Sequence, residues 1–378
     1  MFRVIWVLGC MIGCSICTIS FAAEGDSETA PETDELRRRT TGTSVVRDRN
    51  PVVQKNLRLE RGAILKGLQY LSSKQENSGA IGDHFPVAVT SLAGLAFLGA
   101  GSGYTRGPYA QEIQNCLRYV LASVHGSSGF ISEKKPVSRM HGHGFALLFL
   151  TQVYGHLPEL EQGNVAHVVR RGIRCVRLAQ SSLGGWSYLP EDSATKNDDE
   201  ASVTIGVIQA LRAADNVGFT VDKRIIGRAI RYVKKSQTGD GSFRYSLNPA
   251  RGANGGKTSF ALTAAATSTL NAAGIYESKE LLRGLDFMDR RLSGSRGQAK
   301  RAVEDPFFFY GALYASQTYF QAGGSAWSRW YTELRSYLLK KQRTDGRWSD
   351  QAYGDEFGTA SAVLILAMPI QYLPIYQR

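Results

Sequence analysis

The chain has 378 residues, 43% of them hydrophobic and 21% charged, a balance too apolar for a disordered protein. Its 40 glycines and 11 prolines fit helices that end cleanly rather than a collagenous or proline-rich chain, and five cysteines make no disulfide framework at this length. The net charge of +12 admits an anionic partner without identifying one.

Arg3 precedes an apolar run from Val4 to Ala23, which closes on Ser20-Phe21-Ala22 before Glu24 and Asp26. Small residues at the two positions that signal peptidase reads predict cleavage after Ala22. Residues 1–22 would then be a signal peptide, and the mature chain would reach the periplasm, the envelope or the medium. A retained anchor is the alternative, since the run is long enough to span a bilayer. A lipid on Cys14 is a third. Cys10, Cys14 and Cys17 all lie in this segment, so the mature chain keeps Cys116 and Cys175. Residues 23–56 are rich in Ser, Thr, Glu and Arg, the composition of a solvated, disordered tether. The run Arg37-Arg38-Arg39 leaves peripheral association with an anionic membrane open.

From Leu57 onward the chain repeats. Tyr70, Tyr119, Cys175, Tyr232, Phe287 and Tyr337 each stand near the end of a predicted helix, at intervals of 49, 56, 57, 55 and 50 residues. Five residues after four of them comes Gln75, Gln180, Gln237 or Gln342, with Val124 and Leu292 as the exceptions. Eleven residues after comes Ile81, Phe130, Trp186, Phe243 or Trp348, with Gln298 as the polar exception. Gly79, Gly129, Gly184, Gly241, Gly297 and Gly346 lie between these positions. Six units of this length fix an architecture of stacked supersecondary elements.

Each unit predicts two helices. The first is amphipathic, as in Ile225, Ile226, Ala229, Ile230 and Val233, with basic residues on the other face. The second is apolar or small all round: 87–100, 145–154, 203–214, 260–273, 307–320 and 359–368. A helix without a polar face is buried on every side. The pattern therefore predicts an outer ring around an inner ring, and an open solenoid fits the same periodicity.

Gln180-Ser-Ser-Leu-Gly184-Gly-Trp186 and Gln342-Arg-Thr-Asp-Gly346-Arg-Trp348 resemble the QW motifs of squalene and oxidosqualene cyclases. Gln75 to Ile81 and Gln237 to Phe243 are similar to degenerate copies. The paired-helix units also resemble the β subunits of protein prenyltransferases. This likeness covers 57–378 and implies an all-α fold, a closed (α/α)6 toroid of six repeats. In physical terms the Gln would bond free backbone groups where an outer helix ends while the aromatic packs over the turn, a structural role.

Polar residues cluster where each buried helix starts. The ligand-binding candidates among them are His84, His141, His143, Ser202, Thr204 and Asp355, and the candidate acids are Asp198, Asp199, Glu304 and Asp305. Helix capping explains the Asp, Glu, Ser and Thr equally well. Histidine is a poor cap, so His141 and His143 call for either a structural hydrogen bond or a ligand. The fifth buried helix adds Phe308, Tyr310 and Tyr314, whose ring faces would line an apolar cavity or stabilise a carbocation.

The resembling families' catalytic motifs are incomplete. Where squalene–hopene cyclases carry Asp-x-Asp-Asp-Thr, the chain reads Glu200-Ala-Ser202-Val203-Thr204. A shifted frame, Lys196-Asn-Asp198-Asp199, recovers two acids behind a lysine. The prenyltransferase zinc set of Asp, Cys and His is not found, because Cys116 and Cys175 fall on outer helices. No metal and no cofactor is therefore expected. Gly252 to Thr258 misses the P-loop spacing, and the basic residues form no nucleic-acid module, so no nucleic-acid partner is expected. The expected activity is binding of an apolar, isoprenoid-like molecule or a peptide segment in the central cavity. Cyclisation or transfer of a polyprenyl substrate by a rim carboxylate is the alternative, and a non-catalytic envelope interaction is a third. The oligomeric state stays open.

Overall fold

The computed structural model describes residues 51–133, 139–292 and 307–376. The predicted signal segment, the tether up to residue 50, and Glu304 and Asp305 lie outside the described residues. Among the described residues twelve helices of 13 residues or more carry the domain. The first two units are α1 (Pro51–Ser73) with α2 (Pro86–Gly99), and α3 (Ala110–Ala122) with α4 (Arg139–Tyr154). The next two are α5 (Glu159–Ala179) with α6 (Ala201–Asn216), and α7 (Lys223–Lys235) with α8 (Phe260–Ala272). The last two are α9 (Lys279–Leu292) with α10 (Phe308–Ala322), and α11 (Gly324–Lys341) with α12 (Asp355–Ala367). Helix α1 thus begins six residues before Leu57, inside the segment assigned to the tether.

The even-numbered helices form the inner ring. Each packs on the next, and α12 returns to α2, which excludes the open solenoid. Each odd helix from α3 onward lies against the inner helix that precedes it, and α1 covers α12. This arrangement explains the two hydropathy patterns. In α2 every residue from Val87 to Gly99 is buried, because inner neighbours and an outer helix surround it. In α7 only Ile225, Ile226, Ala229, Tyr232 and Val233 are buried, one face of an amphipathic helix.

The four glutamines tie the outer ring together. Gln180 Nε2 donates to the Gly184 carbonyl at 2.9 Å and to the Ile225 carbonyl of α7 at 3.0 Å. Gln75 reaches Gly79 and Glu112, and Gln237 reaches Gly241 and Glu280, in the same way. Gln342 bonds Gly346 and then Ala63 of α1, both at 2.9 Å, joining the last unit to the first. Where Val124 replaces glutamine, a two-stranded ladder takes over, β1 (Val124–His125) against β2 (Phe130–Ile131). Glycine is required at Gly346: φ is +93°, and an added Cβ would sit 2.2 Å from the Lys66 carbonyl oxygen. The indole N–H groups of Trp186 and Trp348 each donate to a carbonyl of the preceding outer helix at 2.8 Å, Val176 and Leu338 respectively.

Helix α4 starts six residues earlier than its apolar segment predicts, so His141 and His143 lie inside it. Of the two glycines beside His143, only Gly144 is closely packed, since a Cβ on Gly142 would meet nothing nearer than Val87 at 3.5 Å. A Cβ on Gly144 would lie 3.3 Å from the Gly206 backbone of α6.

Candidate functional site

A cavity of about 780 Å³ opens at the end of the inner ring where all six inner helices begin. Every inner helix contributes a lining residue from its first two turns or its preceding loop. Much of the wall is aromatic: Phe85, Phe145, Phe307 and Phe357, with Tyr310 and Tyr353. Phe307 stacks on Tyr353 at 5.8 Å between centroids, and Phe85 meets the same ring edge-on at 6.0 Å. Tyr188 and Tyr245 complete this wall, their hydroxyls hydrogen-bonded to each other.

The rim is held by short extended segments that run between units. Glu200 N–H donates to the Trp186 carbonyl, Ala201 N–H to the Tyr245 carbonyl, and Tyr245 N–H to the Lys257 carbonyl, each at 2.8 Å. The first of these bonds fixes Glu200 as the N-cap of α6, where its Oε2 accepts the Val203 N–H at 2.9 Å. Ser202 Oγ also donates to Oε2, at 2.5 Å, and lies 2.8 Å from His141 Nε2. Since the serine proton points to the carboxyl, His141 must donate its Nε2–H to the serine oxygen. The result is a chain of hydrogen bonds from His141 through Ser202 to Glu200, with all three residues on the cavity wall.

Electrostatics set the protonation states. Burial pushes the Glu200 carboxyl up to about 7, against the opposing bonds from Ser202 and Val203 and the charge of Arg251. Burial pushes His141 down to about 4, so its imidazole is neutral at neutral pH. The other oxygen of this carboxyl is Oε1. That atom is buried and has no hydrogen-bond partner. A second carboxyl, Glu133, also lines the cavity and is raised by burial.

The two aspartates singled out beside Glu200 have other tasks, and neither lines the cavity. Asp198 is clamped by Arg251 at 2.5 Å, and by Ser187 and Asn248. Those partners outweigh partial burial and hold its carboxyl down at about 2. Asp199 is fully buried, where its Oδ1 accepts bonds from Tyr232, Ser246 and the Leu247 N–H. Of these three adjacent acids, only Glu200 lines the cavity.

Of the other sequence candidates, His141, Ser202 and Tyr310 line the cavity. His143 is buried behind it, accepting the Ile131 N–H at 3.1 Å and donating to the Gly172 carbonyl at 3.2 Å. Thr204 accepts the Trp186 N–H at 3.0 Å. His84 is exposed, and Asp355 meets Arg347 and the Asp350 N–H at the start of α12. Phe308 packs outward on Tyr337 at 5.4 Å, while Tyr314 sits behind Tyr310 at 4.8 Å. Tyr188 and Tyr245 escaped the sequence analysis although both stand two residues after a repeat aromatic, Trp186 and Phe243. Among the described residues no group of three or more His, Cys, Asp or Glu converges as a metal site.

Ser268, one of the small residues of α8, takes part in a polar link inside the inner ring. Gln209 Nε2 donates to Gln317 Oε1 at 2.6 Å, and Ser268 Oγ donates to the same oxygen at 2.9 Å. This buried amide link joins α6 and α10 across the inner face of α8.

No family model and no curated protein sequence matches the chain. Solved structures do. A variant of the type II terpene cyclase MstE from Scytonema, in complex with geranylgeranyl dihydroxybenzoate, superposes with a TM-score of 0.55 at 12% identity, over 84% of this chain and 99% of that one. An inactive alpha-1,6-mannanase variant from Salegentibacter, in complex with alpha-1,6-mannotriose, gives 0.60 at 9% identity over 82% and 98%. Cellobiose 2-epimerase from Bacillus thermoamylovorans gives 0.55 at 11% identity over 82% and 99%. The chain is an (α/α)6 toroid. Terpenoid cyclases share this fold with carbohydrate enzymes, so the choice between chemistries falls to the cavity.

Proposed function

We propose that this toroid binds an apolar, isoprenoid-like molecule in its central cavity and acts on it by general-acid catalysis through Glu200. The observation that carries the proposal is the Glu200 carboxyl: buried on an aromatic wall, near-neutral in pKa, and with Oε1 unpartnered. A general acid works best when its pKa lies near the operating pH. The aromatic faces around it would stabilise positive charge developing on the substrate by up to ~2 kcal/mol each. The terpene cyclase neighbours hold a geranylgeranyl substrate and the product merosterolic acid A, which supports an isoprenoid ligand. Carriage without turnover is the second reading, favoured by Ser202 and Val203 standing where the cyclase motif has adjacent acids.

We also propose that the chain is exported and cleaved after Ala22, from the composition of its first residues. Among the described residues no helix is long and apolar enough to cross a membrane.

The test is mass spectrometry of lipids that co-purify with the native protein, followed by turnover of the species found. An isoprenoid bound by wild type and by Glu200→Gln, but converted only by wild type, is the expected result. Binding by both with turnover by neither identifies a carrier. A bound peptide, or no lipid, overturns the proposal.

A further inference from the structure

The connection between α7 and α8 supplies more of the cavity lining than any other: Tyr245, Arg251, Asn254, Lys257, Thr258 and Ser259. Its backbone is pinned in place. Tyr245 N–H donates to the Lys257 carbonyl at 2.8 Å and Ser246 N–H to the Gly255 carbonyl at 3.0 Å, while Asn248 and Arg251 hold Asp198. Its side chains differ from the rest of the wall: Asn254, Lys257 and Thr258 are polar and exposed, where Phe85, Phe145 and Phe357 offer carbon. Among the described residues the cavity is lined by two cations, Arg251 and Lys257, and two carboxyls, Glu133 and Glu200. Arg251 spends its Nε and Nη2 on Asp198, so its charge is matched. Glu133 Oε2 and Glu200 Oε1 are buried, as is the Tyr310 hydroxyl, and burial pushes both carboxyls toward the neutral form. Lys257 is exposed and enters none of the ion pairs among the described residues. The uncompensated charge that an entering molecule can reach is one ammonium.

We propose that the cavity takes an amphiphile with a singly charged anionic head, a carboxylate on an apolar chain, and that Lys257 binds the head with Asn254 and Thr258 as hydrogen-bond donors. The proposal rests on the cavity being the site of an isoprenoid-like ligand and adds its head group. A charge is costly to bury in an apolar space, so the head stays where water and the ammonium are and the chain runs inward along the rings. All six inner helices begin at this end of the ring, and their positive dipole ends favour the same sign of ligand. A lysine suits the task, because its ammonium is a point charge on a flexible stem that can follow the head as it enters. One ammonium matches one negative charge, and a diphosphate carries more than it offsets. Holding the head at one place also sets how far the chain enters, and with it the atoms brought beside Glu200.

Calorimetric titration at pH 7 with farnesoic acid, farnesol and farnesyl diphosphate tests this on wild type, Lys257→Met and Lys257→Arg. Wild type should bind the ionised farnesoic acid about fivefold more tightly than farnesol, the effect of one accessible charge pair. Lys257→Met should abolish that gap and leave farnesol affinity unchanged, whereas Lys257→Arg should keep it. The side chain is exposed, and the backbone bond to Tyr245 needs no particular residue, so both variants should fold as wild type does. Equal affinities for acid and alcohol in wild type, or a gap that Lys257→Met preserves, overturn the proposal and leave the isoprenoid site standing. A gap lost in both variants assigns the effect to something other than the charge and overturns it as well. Diphosphate binding about tenfold or more tighter than the acid also overturns it, since the site would then offer more than one charge. Binding of none of the three overturns the isoprenoid reading itself and the proposal with it.

Discussion

His143 accepts the Ile131 N–H at 3.1 Å in the place where Thr204 accepts the Trp186 N–H at 3.0 Å. Thr90, Thr263 and Thr359 receive the Ile81, Phe243 and Trp348 N–H groups in the same manner. The histidine is thus one unit's version of a repeated tie between turn and inner helix. His143→Ala should lower stability, by about 1–3 kcal/mol for the buried N–H left unpaired. The variant should retain its cavity ligand as wild type does. Chemical denaturation beside ligand binding decides the point: a stable variant that loses the ligand would return His143 to the site.

Ring closure makes its own prediction. Gln342 links the sixth unit to Ala63 of the first, and Gly346 lets the turn approach the α1 backbone. Gly346→Ala should be among the most destabilising single-methyl changes in the chain. Its positive φ alone costs about 1–3 kcal/mol, and the contact with the Lys66 carbonyl adds to that. Gly62→Ala, where an added Cβ meets nothing within 4 Å, is the control. Denaturant midpoints of the two variants should separate clearly.

How much of this was legible follows from what the repeat conserves in spacing. Gln75, Gln180, Gln237 and Gln342 stand at one offset, so the units and the two rings could be read directly. The inner-helix partner of each turn could not, because the gap from turn to partner varies: 9, 12, 18, 20 and 11 residues for Thr90, His143, Thr204, Thr263 and Thr359. Closure was equally hidden, since Gln342 and Ala63 lie 279 residues apart. Among Asp198, Asp199 and Glu200 the sequence offers three adjacent acids. Which one faces the cavity depends on Arg251 claiming Asp198 and Tyr232 claiming Asp199, contacts made between units.

Cys116 and Cys175 are both free and buried. Burial raises both thiols, Cys175 to about 11, so little thiolate exists at neutral pH. A thiol reagent should react slowly with the folded protein and titrate two thiols after unfolding. A total of five would mean that Cys10, Cys14 and Cys17 remain and that cleavage after Ala22 does not occur. Amino-terminal sequencing should find Ala23 first.

The acid itself should be visible in the pH dependence of stability. The Glu200 carboxyl moves from an ordinary 4.5 to about 7 on folding. Between those values the folded chain holds a proton that the unfolded chain has released, so stability falls as pH rises through the window and levels off above about 7. The shift corresponds to about 3 kcal/mol. His141 and His143 act in the opposite direction, because burial depresses both to about 4. Their contribution is present above about 6.5 and is lost as pH falls toward 4. Glu200→Gln removes only the first effect. The variant should therefore match wild type near pH 4, exceed it in stability at pH 8, and keep the loss on acidification that the histidines cause. Unfolding by urea at pH 4, 6 and 8 measures all three. If wild type and Glu200→Gln run parallel across that range, the Glu200 carboxyl titrates alike in the folded and unfolded chains, and its role as a near-neutral acid fails.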